Sequence, residues 1–371
     1  MTHLKVFTAF SGYDSQCMAL DRLHRHNPDF NYELVGWAEI DKYAIATHNA
    51  VYPQWAERNY GDISKIDWAQ VPDFDLFTYS SPCQDFSQAG KQAGGTEGSG
   101  TRSSLLWECR RAILAKKPKY LLMENVAALV SQKFIRLFNA WQLELESYGY
   151  RNFAKVLNAK DYGVPQNRER IFMVSVLDEQ ARYEFPDPMP LPLRLKDVLE
   201  PKVDERYYLS QKEIDMFDSH KAKQQALGRG FGWQPTDGEG TAFAIKASSH
   251  DRADDNYIKC MVVGQMPYKS GYENTARVYS PEGIAPCLQV VSGGNTEPKI
   301  QEPSYRIRKL TERECFRLMD VPEEYIDRIQ AAGISRSQQY KMAGNSIVVS
   351  CMYHIWRKLW IDTQIKTLTL F

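Results

Sequence analysis

One cysteine of this 371-residue chain lies where an apolar run ends and a polar loop begins. Cys83 stands in SSPCQDFSQAGKQ, at the end of the apolar run DLFTYSS, on a loop rich in Gly, Ser and Gln. A free thiol has a pKa of about 8.5, so a nucleophilic cysteine needs nearby positive charge that favours the thiolate. Arg168 and Arg170 in QNRER could supply that charge. Two interpretations stay open: a nucleophile at a strand end, or an inert cysteine that packs in the core.

A glutamate and an asparagine end a second apolar run, KYLLMEN. At such a place the Glu124 carboxyl can hydrogen-bond a ring nitrogen of a substrate, or donate a proton if its pKa is raised. The alternative is structural, with Asn125 capping the helix that follows.

The first two predicted strands end in residues that suit a nucleoside ligand. The turn Phe10–Gly12 has one glycine, and the GxGxxG pattern of dinucleotide sites is absent. Glu39 ends the second strand, where a carboxylate can accept two hydrogen bonds from ribose hydroxyls and repel a 2′-phosphate. Asp62 could play a similar part toward an adenine amine. The alternative is that Glu39 or Asp41 caps the next helix.

The elements that must position these residues alternate between strands and helices. Apolar runs predict strands that begin at Leu4, Tyr32, Asp75, Lys119 and Arg170. Amphipathic stretches predict helices over Asp14–Leu23, Lys42–Ala50, Ser103–Lys116 and Lys133–Ser147. This alternation predicts the α/β class, with a mostly parallel, doubly wound sheet. Ligands bind such sheets at the carboxyl ends of the strands.

The pattern changes at FPDPMPLPLRL, which begins at Phe185 and holds four prolines, a density typical of a boundary. We therefore predict a large domain over residues 1–186, a smaller, irregular and β-rich domain with its return connection over 187–334, and a segment, 335–371, that completes the large domain. Thr311 and Glu314 fit a capping box. The apolar helix Ser346–Trp360 is expected to pack against the large domain.

The composition narrows the class of protein. Hydrophobic residues are 43% and charged residues 25%, which excludes a disordered or fibrous chain. Lys+Arg and Asp+Glu are both 46, so a nucleic-acid site must come from local clusters of positive charge. The seven cysteines are spread out without a CxxC pair, which favours reduced thiols and no metal site. No apolar run reaches the ~20 residues of a membrane span, and MTHLKVFTAF does not fit a secretory signal, so a cytoplasmic protein is expected.

Five motifs in order along the chain resemble the cytosine-C5 DNA methyltransferase family. They are PCQ at 82–84, ENV at 124–126, QxRxR at 166–170, RKLTERECFRLM from Arg308 and GNS at 344–346. The run NAKDYGVPQNRERIFMVSV from Asn158 is similar to the family pattern almost throughout. The middle of the chain is not, and there the family places its target-recognition domain. The resemblance implies a Rossmann-like fold and an enzyme that uses S-adenosylmethionine.

The resemblance also implies a covalent mechanism on double-stranded DNA. The target cytosine leaves the helix stack, and the Cys83 thiolate attacks C6 of its ring. Glu124 would contact N3 and the exocyclic amine. Arg168 would bind the base carbonyl or a phosphate, and Arg170 would support the glutamate or the cysteine. C5 then takes a methyl group from S-adenosylmethionine.

The resemblance assigns further residues to the methyl donor and to DNA. The donor pocket would include Phe10, Gly12, Glu39, Ile40, Asp62, Ile63, Pro82, Leu105, Asn345 and Ser346. The DNA contacts would include Gln84, Ser87, Gln166, Arg229, Arg277, Gly293 and Gly294. Core packing is the alternative for Leu105, and a plain turn is the alternative for the GRGFGWQ loop that holds Arg229.

The chain departs from the family pattern at the donor turn. Thr8 stands where the family usually has an acidic residue, two positions before the Phe-x-Gly turn. After Gly12 the family usually has glycines or small residues, and this chain has Tyr13, Asp14 and Ser15. In the middle segment, Cys287-Leu288 replaces the family's Thr-Leu.

Two other functions fit parts of this pattern. An RNA cytosine-C5 methyltransferase would share the motifs, and a non-catalytic DNA-binding relative would share the fold. The presence of Cys83, Glu124 and Arg168 speaks against the second. We expect a monomer of bacterial or phage type that needs no metal and no membrane. A companion restriction endonuclease would be a functional partner encoded elsewhere, and the sequence leaves its existence open.

Overall fold

The computed structural model describes residues 2–81, 105–207, 219, 226, 262–265, 277–279, 283–286, 299–301 and 307–362. The strands are β1 (Thr2–Ala9), β2 (Phe30–Ala38), β3 (Leu76–Tyr79), β4 (Tyr120–Val126), β5 (Arg151–Asn158), β6 (Gln166–Asn167), β7 (Glu169–Val176), β8 (Val262–Gln265), β9 (Arg277–Tyr279), β10 (Ala285–Pro286), β11 (Lys299–Gln301) and β12 (Ile307–Lys309). The α-helices are α1 (Ser15–His26), α2 (Lys42–Val51), α3 (Cys109–Lys116), α4 (Ile135–Ser147), α5 (Glu312–Arg317), α6 (Glu323–Ala331), α7 (Arg336–Asn345) and α8 (Val349–Arg357). Among the described residues, none of the helices combines the length and the apolar character that a bilayer-spanning segment needs.

A six-stranded sheet in the order β2-β1-β3-β4-β7-β5 forms the centre of the molecule. β2, β1, β3 and β4 run parallel to one another, whereas β7 is antiparallel to both of its neighbours. The predicted α/β class and mostly parallel sheet are therefore confirmed. The sequence does not predict β5, because the polar residues Arg151, Asn152 and Lys155 obscure the pattern of this edge strand.

Apolar side chains cover both faces of the sheet, which makes it doubly wound. On one face, Val6 and Leu34 pack with α1 and with residues of α5 to α8. On the other face, Phe7 and Phe77 pack with α3 and α4. Val6 and Phe7 are neighbours in β1 and are both fully buried, as successive residues must be when neither face of a sheet meets water.

The last helices return to the first half of the chain. α8 packs against α1, and Trp360 stacks on Phe30 with 5.4 Å between the ring centroids. The α-helix is shorter than the predicted Ser346–Trp360, since it covers Val349–Arg357 and continues as a π turn over Lys358–Asp362. The expected packing of this helix against the first domain is present.

One carboxylate joins several parts of that core. Asp21 in α1 accepts hydrogen bonds from the hydroxyls of Tyr32, Tyr52 and Tyr325, at 2.6, 2.7 and 2.7 Å. Tyr325 belongs to α6, so part of the predicted return connection shares the core of the first strands and helices. The division into two domains, with boundaries at 186 and 334, remains a prediction, because much of the segment 208–306 lies outside the described residues.

The predicted capping box begins α5. The Thr311 hydroxyl accepts a hydrogen bond from the Glu314 amide at 3.2 Å, and the Glu314 carboxylate accepts one from the Thr311 amide at 2.8 Å. The same hydroxyl donates to Glu200 Oε2 at 2.5 Å. The box is thus confirmed, and it also joins the chain after the proline-rich stretch to α5.

The described pieces between 262 and 309 are short strands. β12, β11, β9 and β8 form a four-stranded sheet in that order. β10 pairs in parallel with β6, so that Ala285–Pro286 lies beside Gln166–Asn167. A strand from the predicted recognition segment thus lies against the two residues that immediately precede Arg168.

Candidate active site

A buried ion pair lies at the carboxyl end of β4. The Glu124 side chain is 9% exposed, and its Oε1 lies 3.2 Å from Nε of Arg170 in the adjacent β7. Burial raises the pKa of Glu124, while the positive charges of Arg170 and Arg168 act in the opposite direction. The net rise means that this carboxyl holds a proton at higher pH than an ordinary glutamate, which suits a group that exchanges a proton with a substrate.

Arg168 is directed toward the C-terminal segment. It is 3% exposed, and its Nη2 donates hydrogen bonds to the carbonyl oxygens of Gly344 at 3.0 Å and Ser346 at 2.7 Å. These two carbonyls flank Asn345. Arg168 therefore fixes the GNS motif relative to the strand that carries Arg170, a task that the sequence does not suggest.

Asn125 anchors the end of β3 and does not cap a helix. Its Nδ2 lies 3.2 Å from the carbonyl oxygen of Ser81 and 3.3 Å from its hydroxyl. The turn that follows β4 begins after Val126 and has no side-chain cap, so the capping alternative is wrong. Ser81 stands two positions before Cys83 in the chain. The predicted residues Pro82, Cys83, Gln84 and Ser87 lie outside the described residues.

Glu39 joins the turn after β1 to the turn after β2. Its Oε2 accepts a hydrogen bond from the Gly12 amide at 3.0 Å, and its Oε1 accepts from the amides of Ile40 and Asp41 at 2.8 and 2.9 Å. Asp41 caps α2, since its Oδ1 accepts from the Tyr43 amide at 2.9 Å. The helix cap therefore belongs to Asp41, and Glu39 remains at the sheet edge with lone pairs for a ligand.

Exposed groups surround Glu39. Ile40 is 70% exposed and offers an apolar surface directly beside the carboxylate. Lys341 of α7 donates to Asp41 Oδ2 at 2.6 Å, which brings the helix that ends at the exposed Asn345 to this edge. An acceptor beside an apolar surface matches a nucleoside, whose ribose donates hydrogen bonds and whose base has apolar faces.

Asp62 lies close to the same edge. Asn59 connects them, because its Oδ1 accepts from the amides of Glu39 at 3.2 Å and Gly61 at 2.9 Å. Asp62 Oδ1 accepts from the hydroxyl and the amide of Ser64, and the hydroxyl bond is the main cause of a lowered pKa. Asp62 is thus an ionised acceptor near Glu39, while the neighbouring Ile63 is buried.

The remaining predicted site residues divide into buried, half-buried and undescribed ones. Gln166 is fully buried, and its side-chain amide donates to the Leu318 carbonyl at 2.5 Å, so its side chain is not accessible in this structure. Leu105, like Phe10 and Ser346, is half-buried, and its neighbour Leu106 is the residue in the core. Of the other predicted DNA contacts, Arg277 is described only as backbone in β9, and Arg229, Gly293 and Gly294 lie outside the described residues.

The sequence does not single out a buried cluster behind the turn that follows β1. Asp14 and His48 are both fully buried, with Asp14 Oδ2 3.4 Å from His48 Nε2. Thr8 Oγ1 donates to the same carboxylate oxygen at 3.0 Å. The departure of Thr8 and Asp14 from the family pattern is the one signal of this cluster in the sequence.

Comparisons with known proteins show which family and which fold the chain is similar to. The family profile for C-5 cytosine-specific DNA methylase matches residues 4–360. The chain is 31% identical to the type II methyltransferase M2.ScrFI of Lactococcus lactis subsp. cremoris, over 96% of this chain and 99% of that protein. It is also 31% identical to the orphan methyltransferase M.SPRI of Bacillus phage SPR, over 99% of each. The solved structure of S. pombe Dnmt2 methyltransferase aligns at 15% identity with a TM-score of 0.64, covering 98% of this chain and 99% of that one, which shows a common fold.

Proposed function

The chain belongs to the C-5 cytosine-specific DNA methylase family and is a DNA cytosine methyltransferase, and from this premise we propose that it methylates C5 of a flipped-out cytosine in a specific duplex sequence through a covalent Cys83 adduct. The Glu124–Arg170 pair is the observation that carries the proposal. It places a carboxyl of raised pKa at the end of β4, and Asn125 beside it anchors Ser81, just before Cys83 in the chain. A proton-exchanging carboxyl near a nucleophile is what addition to a pyrimidine ring needs.

We propose S-adenosylmethionine as the methyl donor. When bound, it supplies an electrophilic methyl group. Glu39 would accept hydrogen bonds from its ribose hydroxyls, and the exposed Ile40 would cover a face of its adenine. The support for this assignment is the pairing of a carboxylate acceptor with an apolar surface at the carboxyl ends of β1 and β2.

Glu124 is the group that would hold the flipped cytosine. In its neutral form, the carboxyl can donate a hydrogen bond to N3 and accept one from the exocyclic amine. Hydrogen-bond donation to N3 withdraws electron density from the C5–C6 double bond, which favours addition of the Cys83 sulfur at C6. Arg170 orients the carboxyl, because its Nε lies 3.2 Å from Oε1 of Glu124.

The bonds of the proposed cycle balance without an oxidant or a metal. The Cys83 sulfur forms a bond to C6 as the C5–C6 double bond opens, and the ring becomes nucleophilic at C5. C5 would take the methyl group as the bond between that group and the sulfur of the donor breaks, which leaves a neutral thioether. Loss of the original C5 hydrogen as a proton to water would then restore the double bond. The thiolate leaves C6 in the same elimination.

Arg168 has a positioning role in this proposal. Its hydrogen bonds to the carbonyls of Gly344 and Ser346 fix Asn345, which we propose binds the methyl donor, relative to the strand that contains Arg170. The proposed base pocket and the proposed donor pocket would then keep a fixed separation, which a group transfer between two bound molecules requires.

Trapping with a fluorinated base tests the function. Sequencing of DNA from cells that express the protein would first give the methylated context, and a duplex with 5-fluorocytosine at that position would then be incubated with protein and donor. We expect one covalent protein–DNA complex, because fluorine cannot leave C5 as a proton does. Cys83→Ala should abolish the complex, and Cys287→Ala should retain it. A complex that persists in Cys83→Ala, or methylation of RNA but not of duplex DNA, would contradict the proposal.

We also propose the cellular setting. The relatives in Lactococcus lactis and in a Bacillus phage support a bacterial or phage-encoded protein. We propose that it acts in the cytoplasm as a monomer. The first relative is designated a type II methyltransferase, which supports a companion endonuclease. The second is designated an orphan methyltransferase, which does not.

A further inference from the structure

A buried carboxylate lies directly behind the turn that begins the proposed donor site. Asp14 is fully buried, accepts a hydrogen bond from Thr8 at 3.0 Å and lies 3.4 Å from His48 Nε2. The His48 ring is also fully buried and stacks on Trp37 with 3.7 Å between the ring centroids. Burying a carboxylate is costly unless it is hydrogen-bonded, and Thr8 supplies a hydrogen bond to Oδ2 of this one.

The backbone conformation of Asp14 directs its carboxylate into the core and away from the helix end. Asp14 occupies the N-cap position of α1, yet its side chain makes no capping hydrogen bond. Its φ is 66° and its ψ is 52°, the left-handed region that favours glycine. A residue in this region is kept there by its surroundings. Here the Asp14 amide donates to the Ser11 carbonyl at 2.8 Å, and its carboxylate accepts from Thr8 and lies beside His48.

A chain of hydrogen bonds leads from Asp14 to the ligand-facing edge. Thr8 Oγ1, which bonds Asp14, also lies 2.9 Å from Ser11 Oγ. The Ser11 amide donates to the Ala38 carbonyl at 3.3 Å, and the next amide, Gly12, donates to Glu39. The position of Glu39 relative to the turn after β1 is therefore linked to Asp14 through three contacts: Asp14 with Thr8, Thr8 with Ser11, and Gly12 with Glu39.

We propose that Asp14 is a positioning residue for the methyl donor. Its carboxylate, at the start of α1, holds the Thr8 hydroxyl, which in turn lies within hydrogen-bond distance of Ser11 in the turn. The turn with Gly12 then has the shape that Glu39 requires. This inference rests on the donor assignment made under the proposed function.

The first test removes the carboxylate and keeps the backbone conformation. Asp14→Gly retains the left-handed conformation without cost to the turn. We expect the Kd for S-adenosylmethionine, measured by calorimetry, to rise about tenfold or more, which corresponds to about 1.4 kcal/mol. The KM for the donor should rise much more than kcat falls, because the residue acts on binding. An affinity within about twofold of the wild type would overturn the proposal.

The second test moves the carboxylate to the strand. Thr8 lies within hydrogen-bond distance of Asp14, so the paired change Thr8→Asp with Asp14→Gly places an acid beside Ser11 and His48 again. We expect this pair to recover donor affinity to within about threefold of the wild type. The matched control, Thr8→Asn with Asp14→Gly, has the same shape without the charge and should not recover it. A folded Thr8→Asp pair that binds no better than its control would overturn the proposal, whether or not Asp14→Gly alone folds.

Hydrogen exchange separates this inference from the donor assignment. Without any ligand, the amides of Gly12 and Ile40 should exchange faster in Asp14→Gly than in the wild type, because their acceptor on Glu39 is less well placed. Unchanged exchange would overturn the role of Asp14. A wild-type protein that does not bind S-adenosylmethionine would instead overturn the donor assignment, and the exchange result would still decide the role of Asp14.

Discussion

At the scale of single residues, two opposing effects set the pKa of the buried Glu124 carboxyl. Burial raises the pKa of Glu124, and the charges of Arg170 and Arg168 lower it, with burial the larger effect. If the neutral carboxyl holds N3 of cytosine, activity is lost as pH rises through the pKa of Glu124. The arginine charge therefore decides where the alkaline limb of the pH–rate profile lies.

Arg170→Gln should move that limb to higher pH. The substitution keeps a hydrogen-bonding side chain and removes a positive charge that lowers the pKa of Glu124, so the carboxyl stays neutral further into the alkaline range. The measurement is the rate of methyl transfer across pH at saturating substrates. Arg136→Gln, on the exposed side of α4, is the matched control and should leave the limb in place. If the acidic limb moved to higher pH while the alkaline limb stayed in place, the ionised carboxyl would be the active form, which would contradict the proposal.

The sequence predicts which residues matter better than it predicts their partners. Asn125 and Arg168 are both identified from motifs, yet the structure places the first against Ser81 and the second against Gly344. The bonded pairs are 44 and 176 positions apart in the chain. Periodicity and spacing describe neighbours along the chain, so they contain no information about contacts of this range.

At the scale of elements, patterns of apolar residues predict most of the helices and strands of the sheet. α2 and α4 begin and end close to their predicted bounds. α3 begins at Cys109, later than the predicted start at Ser103. Residues 105–108 form a 3-10 turn, which has the same pattern of apolar residues as the first turn of an α-helix. The antiparallel direction of β7 is also hidden, since an apolar strand has the same pattern in either direction.

Thr311→Ala should destabilise the protein by about 1–2 kcal/mol, because it removes the N-cap of α5 and the bond to Glu200. The free energy of unfolding from urea denaturation, with the slope unchanged, measures this effect. Thr311→Ser keeps the hydroxyl and should stay within about 0.5 kcal/mol of the wild type. A loss equally large in Thr311→Ser would show that the methyl group, and not the cap, stabilises α5.

At the scale of the whole molecule, long-range polar contacts attach the last helices to the first ones. Asp21 bonds Tyr325 across 304 positions, and Arg22 pairs with Asp320 at 2.6 Å. Arg328 donates to the Val51 carbonyl at 2.8 Å. The last helix is apolar and must pack against other elements, but nothing in its pattern shows that α1 is the partner.

Tyr325→Phe should reduce the free energy of unfolding by about 1 kcal/mol, since it removes one hydrogen bond to a carboxylate that keeps two others. Asp21→Ala should reduce it by about 3 kcal/mol, because all three hydroxyls lose their acceptor. Tyr43→Phe, which removes a hydroxyl with no hydrogen bond among the described residues, is the control. Equal effects of Tyr325→Phe and Tyr43→Phe would rule out this attachment.

The pairing of β10 with β6 has a consequence for chimeric proteins. The two-residue ladder is made by main-chain groups, so it requires a backbone path and no particular side chains at Ala285–Pro286. A chimera that exchanges the predicted recognition segment for that of a relative should therefore have its splice junctions outside 283–286. A junction inside this range would separate the imported segment from Gln166–Asn167, and with them from the arginine next in the chain.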